Sequence, residues 1–150
     1  MSRFQADAMI DRPVDVVWSY AADITRHPEW MASSDARVLG GDGTAVGARG
    51  KERVHLGPVS MDIEFEVAEA EPGQQIMWRA VDGRFHRYEF GLALEPGVGA
   101  TSRATYHGDV ALRGAWRVLG PLIALEGPSA IRRELQRLKE RVESLPATRP

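Results

Sequence analysis

A chain of 150 residues, 43% hydrophobic and 27% charged, is long enough for a sizeable core and has an ordinary globular composition. Its formal net charge of -2 gives no electrostatic case for nucleic acid or anionic lipid as the main partner. The absence of cysteine removes disulfides, thiolate nucleophiles and thiolate metal ligands together and fits a reducing compartment.

In chain order, residues 4–10 read as a first strand. Pro13 suits the first turn of a helix, where its missing N–H loses nothing. Val14, Val17, Trp18 and Ala21 then form one apolar helical face, with Asp15 favourably placed against the helix dipole. His27-Pro28 is expected to break that helix, and Glu29-Trp30-Met31 to begin a short second one. From Ala36 the period becomes alternating. Gly40-Gly41-Asp42-Gly43, Glu71-Pro72-Gly73, Asp82-Gly83 and Glu95-Pro96-Gly97 are turn signals. They separate strands near 36–40, 47–56, 60–70, 75–82, 85–94 and 101–112, joined mostly by short turns and therefore antiparallel.

The end is helical. Ile131, Leu135, Leu138, Val142 and Leu145 make a single apolar stripe. Pro128 is expected in the first turn of that helix. Before it, Trp116 to Leu125 reads as a kinked apolar segment interrupted by Gly120-Pro121. That run is too short and too broken to span a bilayer. Residues 1–7 lack the apolar core of a signal peptide. The expectation is a cytoplasmic protein without integral membrane association, residues 1–145 forming one domain and 146–150 a tail. The fold class is α+β: a seven-stranded antiparallel curved sheet wrapped around a long C-terminal helix, with two short helices after strand 1.

The pattern Pro13-x-x-x-Val17-Trp18 followed by Asp23-x-x-x-x-Pro28-x-Trp30 resembles the opening of the polyketide cyclase/dehydrase-like proteins of the START-like, helix-grip (SRPBCC) superfamily. The resemblance continues through Phe65-Glu66-Val67, Glu71-Pro72-Gly73, Trp78-Arg79, Gly83, Phe90 and Leu94-Glu95-Pro96. It ends with the Gly-Pro-interrupted stretch running into Leu135-x-x-Leu138-Lys139. One departure is Gly99-Ala100-Thr101, where the family usually has Gly-Gly-Thr. The resemblance implies a cavity between sheet and long helix that holds apolar, aromatic or lipid-like molecules. It does not imply one chemistry, since members bind, transport, cyclise or dehydrate.

Strand parity suggests which side chains face such a cavity. Met61, Ile63, Phe65 and Val67 share an inner face, as do Trp78 with Ile76 and Ala80. His86, Tyr88, Phe90, Leu92 and Leu94 form another, and Ala104, Tyr106, Val110 and Leu112 a fourth. Glu52 falls inward among Ala48, Gly50 and Val54. A carboxylate there must be paired, protonated or reached by water, unless the strand end leaves it in solvent. The expected ligand-binding set is Trp18, Met61, Ile63, Phe65, Trp78, His86, Tyr88, Phe90, Tyr106, Trp116, Leu119 and Ile123. Ala115 to Gly127 is the expected portal.

The leading expectation is a binder of a small hydrophobic molecule that needs no cofactor. The alternative is a cyclase- or dehydratase-like enzyme, with His86 or Glu52 as acid or base and Tyr88 and Tyr106 as hydrogen-bond donors. A third is a protein-interaction module of the same fold. No His-Glu-x-x-His run, Gly-x-Ser-x-Gly elbow or phosphate loop is present, and no metal site is expected.

Overall fold

The computed structural model describes residues 2–56 and 58–146. Residues 147–150 of the expected tail lie outside them. The strands are β1 (Ser2–Ile10), β2 (Ser33–Gly40), β3 (Arg49–Leu56), β4 (Val59–Glu71), β5 (Gln75–Ala80), β6 (Phe85–Pro96) and β7 (Ser102–Leu112). All pairings are antiparallel, in the order β1-β7-β6-β5-β4-β3-β2. This order puts β1 and β2 at opposite edges. The chain between them must therefore cross the sheet, and it does so as two short helices.

The first, α1 (Val14–Ala21), follows Pro13 in extended conformation at its N-cap. It ends earlier than the sequence suggests. The Asp23 carboxylate accepts the Thr25 N–H at 3.0 Å and starts a 3-10 turn over Ile24–Arg26. A second helix, α2 (His27–Trp30), follows with proline in its first turn. His27-Pro28 thus opens a helix rather than breaking one, because a first-turn proline has no N–H to lose.

A 3-10 helix (Gly114–Leu119) leads into α3 (Gly120–Glu143), which lies in the concave face of the sheet. Ile123, Ile131, Leu135, Leu138 and Val142 are its buried apolar residues. The expected start at Pro128 is corrected. Pro121 occupies the first turn and Pro128 lies inside a continuous helix. Pro128 removes the N–H that would reach the Ala124 carbonyl. Ala124 is exposed, so water can satisfy that carbonyl. At the other end Arg12 clamps the helix, its Nη2 donating to the carbonyls of Glu143 (2.7 Å) and Leu145 (3.0 Å).

Strand parity holds for β4, where Met61, Ile63, Phe65 and Val67 are buried, and for β3, where Gly50, Glu52 and Val54 are buried, as is Ala48 just before it. It fails at the start of β6. Phe85 pairs with Leu112 and Arg87 with Ala111, leaving His86 as an extra residue in a bulge. The bulge inverts the face upstream of it, so Phe85 is buried and His86 is exposed. Asp109, on the outer face of β7, is nonetheless buried, covered by Arg3 (3.3 Å) and Arg87 (3.1 Å).

Candidate functional site

Sheet and α3 do not close completely on one another. Between them lies a cavity of about 90 Å³. Of the expected ligand-binding residues, Ile63, Phe65, Trp78, Tyr88, Phe90, Tyr106 and Ile123 line it, and so does Glu52. Gly50 stands directly opposite Phe65, and a side chain there would collide with the Phe65 ring. On the far side Gly127 lets α3 settle onto the Phe4 ring, which forms part of the cavity wall.

Five expected residues lie elsewhere. Met61 is buried in the core but outside the lining, and Trp18 and Leu119 are half-buried against that core. Trp116 is 43% exposed, with the Arg84 guanidinium 5.6 Å from its ring centre. His86 is on the outer face, removed from the cavity by the bulge.

Two residues that sequence reasoning passed over supply the polar centre. His27 Nδ1 is hydrogen-bonded to Glu52 Oε1, with side chains only 1% and 9% exposed. In the neutral tautomer protonated at Nδ1, Nε2 offers a lone pair. Nε2 has no hydrogen-bond partner among the described residues. The imidazole is held between aromatic rings, edge-on to Trp78 at 4.8 Å and to Trp30 at 5.9 Å, and stacked near Phe65 at 6.1 Å.

Glu134 approaches from α3. Its Oε1 accepts the Ala32 N–H at 2.9 Å. Burial pushes its carboxyl up to about 7, opposed by that hydrogen bond and by Arg137, and reinforced by the charge of Glu52. Arg137 makes no ion pair with Glu134; its Nε donates to the Trp30 carbonyl at 3.0 Å. Burial, with the charges of Glu52 and Glu134, raises the Tyr88 hydroxyl well above its ordinary value. The Tyr106 hydroxyl is raised in the same way, by burial first and then by Glu134. Both phenols therefore stay protonated and can donate.

The signal for Glu134 was in the sequence. It sits three residues after Ile131 and four before Leu138, a carboxylate inside an apolar stripe. His27 carried no such signal, because its partner Glu52 is 25 residues away and on another element. Among the described residues no group of three His, Cys, Asp or Glu is placed to hold a metal ion.

The family described as polyketide cyclase / dehydrase and lipid transport matches residues 1–143. The chain belongs to this family. Its fold is shared with a START superfamily protein from Mycobacterium smegmatis, at TM-score 0.79 and 17% identity over 96% of this chain and 99% of that one. It is shared also with the Zhui aromatase/cyclase from Streptomyces sp. R1128, at TM-score 0.73 and 11% identity over 95% and 96%. A point mutant of norcoclaurine synthase from Thalictrum flavum, in complex with a transition-state analogue, matches at TM-score 0.68 and 14% identity over 94% and 93%. Identities this low establish the common helix-grip architecture. No curated protein matches the chain. No described helix of this polyketide cyclase/dehydrase family member is long and apolar enough to cross a membrane.

Proposed function

We propose that the protein binds a small apolar or aromatic molecule in the cavity beneath α3. The observation that carries this reading is a cavity walled by Phe65, Trp78, Tyr88, Phe90 and Tyr106 with a few polar groups grouped within it. The family's description as cyclase, dehydrase and lipid transport and the START-superfamily likeness support it. The size of the space narrows the ligand. At about 90 Å³ it falls below the roughly 300–1,000 Å³ of drug-sized pockets. One ring or a short branched chain fits, whereas a polycyclic molecule requires α3 to move outward. A screen of toluene, indole, naphthalene and medium-chain fatty alcohols by thermal shift and native mass spectrometry tests this. Retained or stabilising small aromatics are expected; no response across the panel would remove the reading.

A second reading is acid–base catalysis on a carbonyl compound. It is favoured by His27, oriented by Glu52 with Nε2 free, beside a carboxyl that is half protonated near neutrality. The base role considered for His86 passes to His27, since His86 does not reach the cavity. Deuterium uptake at the α-carbon of a small aryl ketone, followed by NMR, tests this. Uptake lost in His27→Ala would support catalysis, and uptake no faster than in buffer would exclude it.

A further inference from the structure

The charged groups that line the cavity are of one kind. Glu52 on β3 and Glu134 on α3 both line it, and no lysine or arginine does among the described residues. The imidazoles of His27 and His55 are the other titratable nitrogens there. Each carboxylate engages one oxygen with the protein, Glu52 Oε1 with His27 and Glu134 Oε1 with the Ala32 N–H. The second oxygen of each has no hydrogen-bond partner among the described residues, and neither has His27 Nε2. Two carboxylate oxygens are therefore unused as acceptors, and Nε2 adds a third in the neutral tautomer protonated at Nδ1. Phe65, Trp78, Tyr88, Phe90 and Tyr106 line the same space, and the π-faces of aromatic rings carry negative potential. Arg137, nearly one turn along α3 from Glu134, is committed to the Trp30 carbonyl.

Resting on the reading of this cavity as a ligand site, we propose that its ligand is a small organic cation, a primary or secondary ammonium on a compact alkyl or aryl-methyl body. The Trp78 indole N–H and the Ser33 hydroxyl are also unpartnered at this lining among the described residues, so charge rather than hydrogen-bond type selects the ligand. The acidic groups lining the space are two carboxylates, with no basic side chain of lysine or arginine among the described residues, and an ammonium carries the opposite sign. Aromatic faces add to its binding where water is excluded. A carboxylate or phosphate ligand would instead meet two buried like charges.

The groups facing Glu134 make the proposal testable through pH. They are Arg133 and Arg137 on α3, the Ala32 N–H, Glu52 with its partner His27, and Tyr88 and Tyr106 from β6 and β7. In the empty protein burial holds the Glu134 carboxyl at about 7. A bound cation favours its ionised form, so binding at pH 6 expels a proton. Affinity then rises with pH by up to about tenfold per unit below 7 and levels off above it.

Isothermal titration of the full chain with benzylamine, benzyl alcohol and benzoate, at pH 6 and pH 8 in two buffers of different ionisation enthalpy, tests this. Benzylamine is expected to bind at least about tenfold more tightly than benzyl alcohol at pH 8, with benzoate weakest and a proton released at pH 6. Glu134→Gln should reduce the amine-to-alcohol ratio at least about fivefold. The proposal is overturned if the alcohol or benzoate equals the amine, or if Glu134→Gln leaves the ratio unchanged. Should that variant not fold, the proton count on the unaltered protein decides, and no release at pH 6 overturns it. Benzyl alcohol binding without an amine preference removes the cation and leaves a site for neutral ligands. Silence from all three compounds and from the neutral panel above removes the site itself.

Discussion

Glu134 occupies a position in α3 where packing alone would favour leucine, and its cost can be measured. Burial holds its carboxyl at about 7 in the folded protein, against an ordinary value of 4.5. The native state therefore holds the proton more tightly than the unfolded chain. Stability attributable to this group is fully present below about 4.5, falls as pH rises towards 7 and is flat above. The loss is on the order of 3 kcal/mol at most. Glu134→Gln, which can still accept the Ala32 N–H, is predicted to be about 1–3 kcal/mol more stable than the parent at pH 8. The advantage should shrink to about a quarter of that at pH 5. Urea unfolding at both pH values checks this, and a variant weaker than the parent at pH 8 contradicts it. A residue kept at such a cost fits a functional site better than a structural one. Half of the polar centre was legible beforehand, since Glu52 followed from strand alternation. His27 was not, because a lone histidine beside a proline has no periodicity to betray where its ring will point.

At the level of elements, α3 divides into two parts of unequal stability. From Ile131 onward its stripe is deeply buried, and Arg12 secures its C-terminal carbonyls. Upstream, Leu125 and Val118 in the preceding 3-10 helix are exposed, and Pro128 removes a hydrogen bond within this part. Amide exchange across residues 116–126 is expected to be at least about tenfold faster than across 131–142. Equal protection would argue against Ala115 to Gly127 as the portal. Of that segment, Ile123 and Gly127 line the cavity. Arg12→Ala should cost about 1.5–3 kcal/mol by releasing two charge-assisted bonds to the helix end, read as a lowered midpoint in urea. Gly127→Ala should be destabilising by about 1–3 kcal/mol, because the new methyl must displace the Phe4 ring from the cavity wall.

For the whole molecule, an unfilled space is a modest burden. At about 24 cal/mol per Å³, a dry void of about 90 Å³ costs about 2 kcal/mol. A ligand present at about 100 times its Kd returns about 2.7 kcal/mol by mass action. The urea midpoint should therefore rise with the logarithm of ligand concentration above Kd. A midpoint independent of ligand would mean that binding, if any, is not to the native cavity.

What the sequence by itself determined was the architecture. Turn residues at fixed intervals, period-two strands and one apolar helical stripe leave few ways to bury their surfaces, and a curved sheet around a helix is the compact one. The family was legible for the same reason, since Pro13, Trp18, Pro28 and Trp30 shape the crossing between the two sheet edges. Only the tertiary structure decided the site. One extra residue in β6 turned His86 out and Phe85 in, and parity cannot register a bulge. The pairing of His27 with Glu52, and the approach of Glu134 from the opposite layer, depend on how three elements distant in sequence close on one another. Proximity of that kind is set by packing, and local pattern carries no record of it.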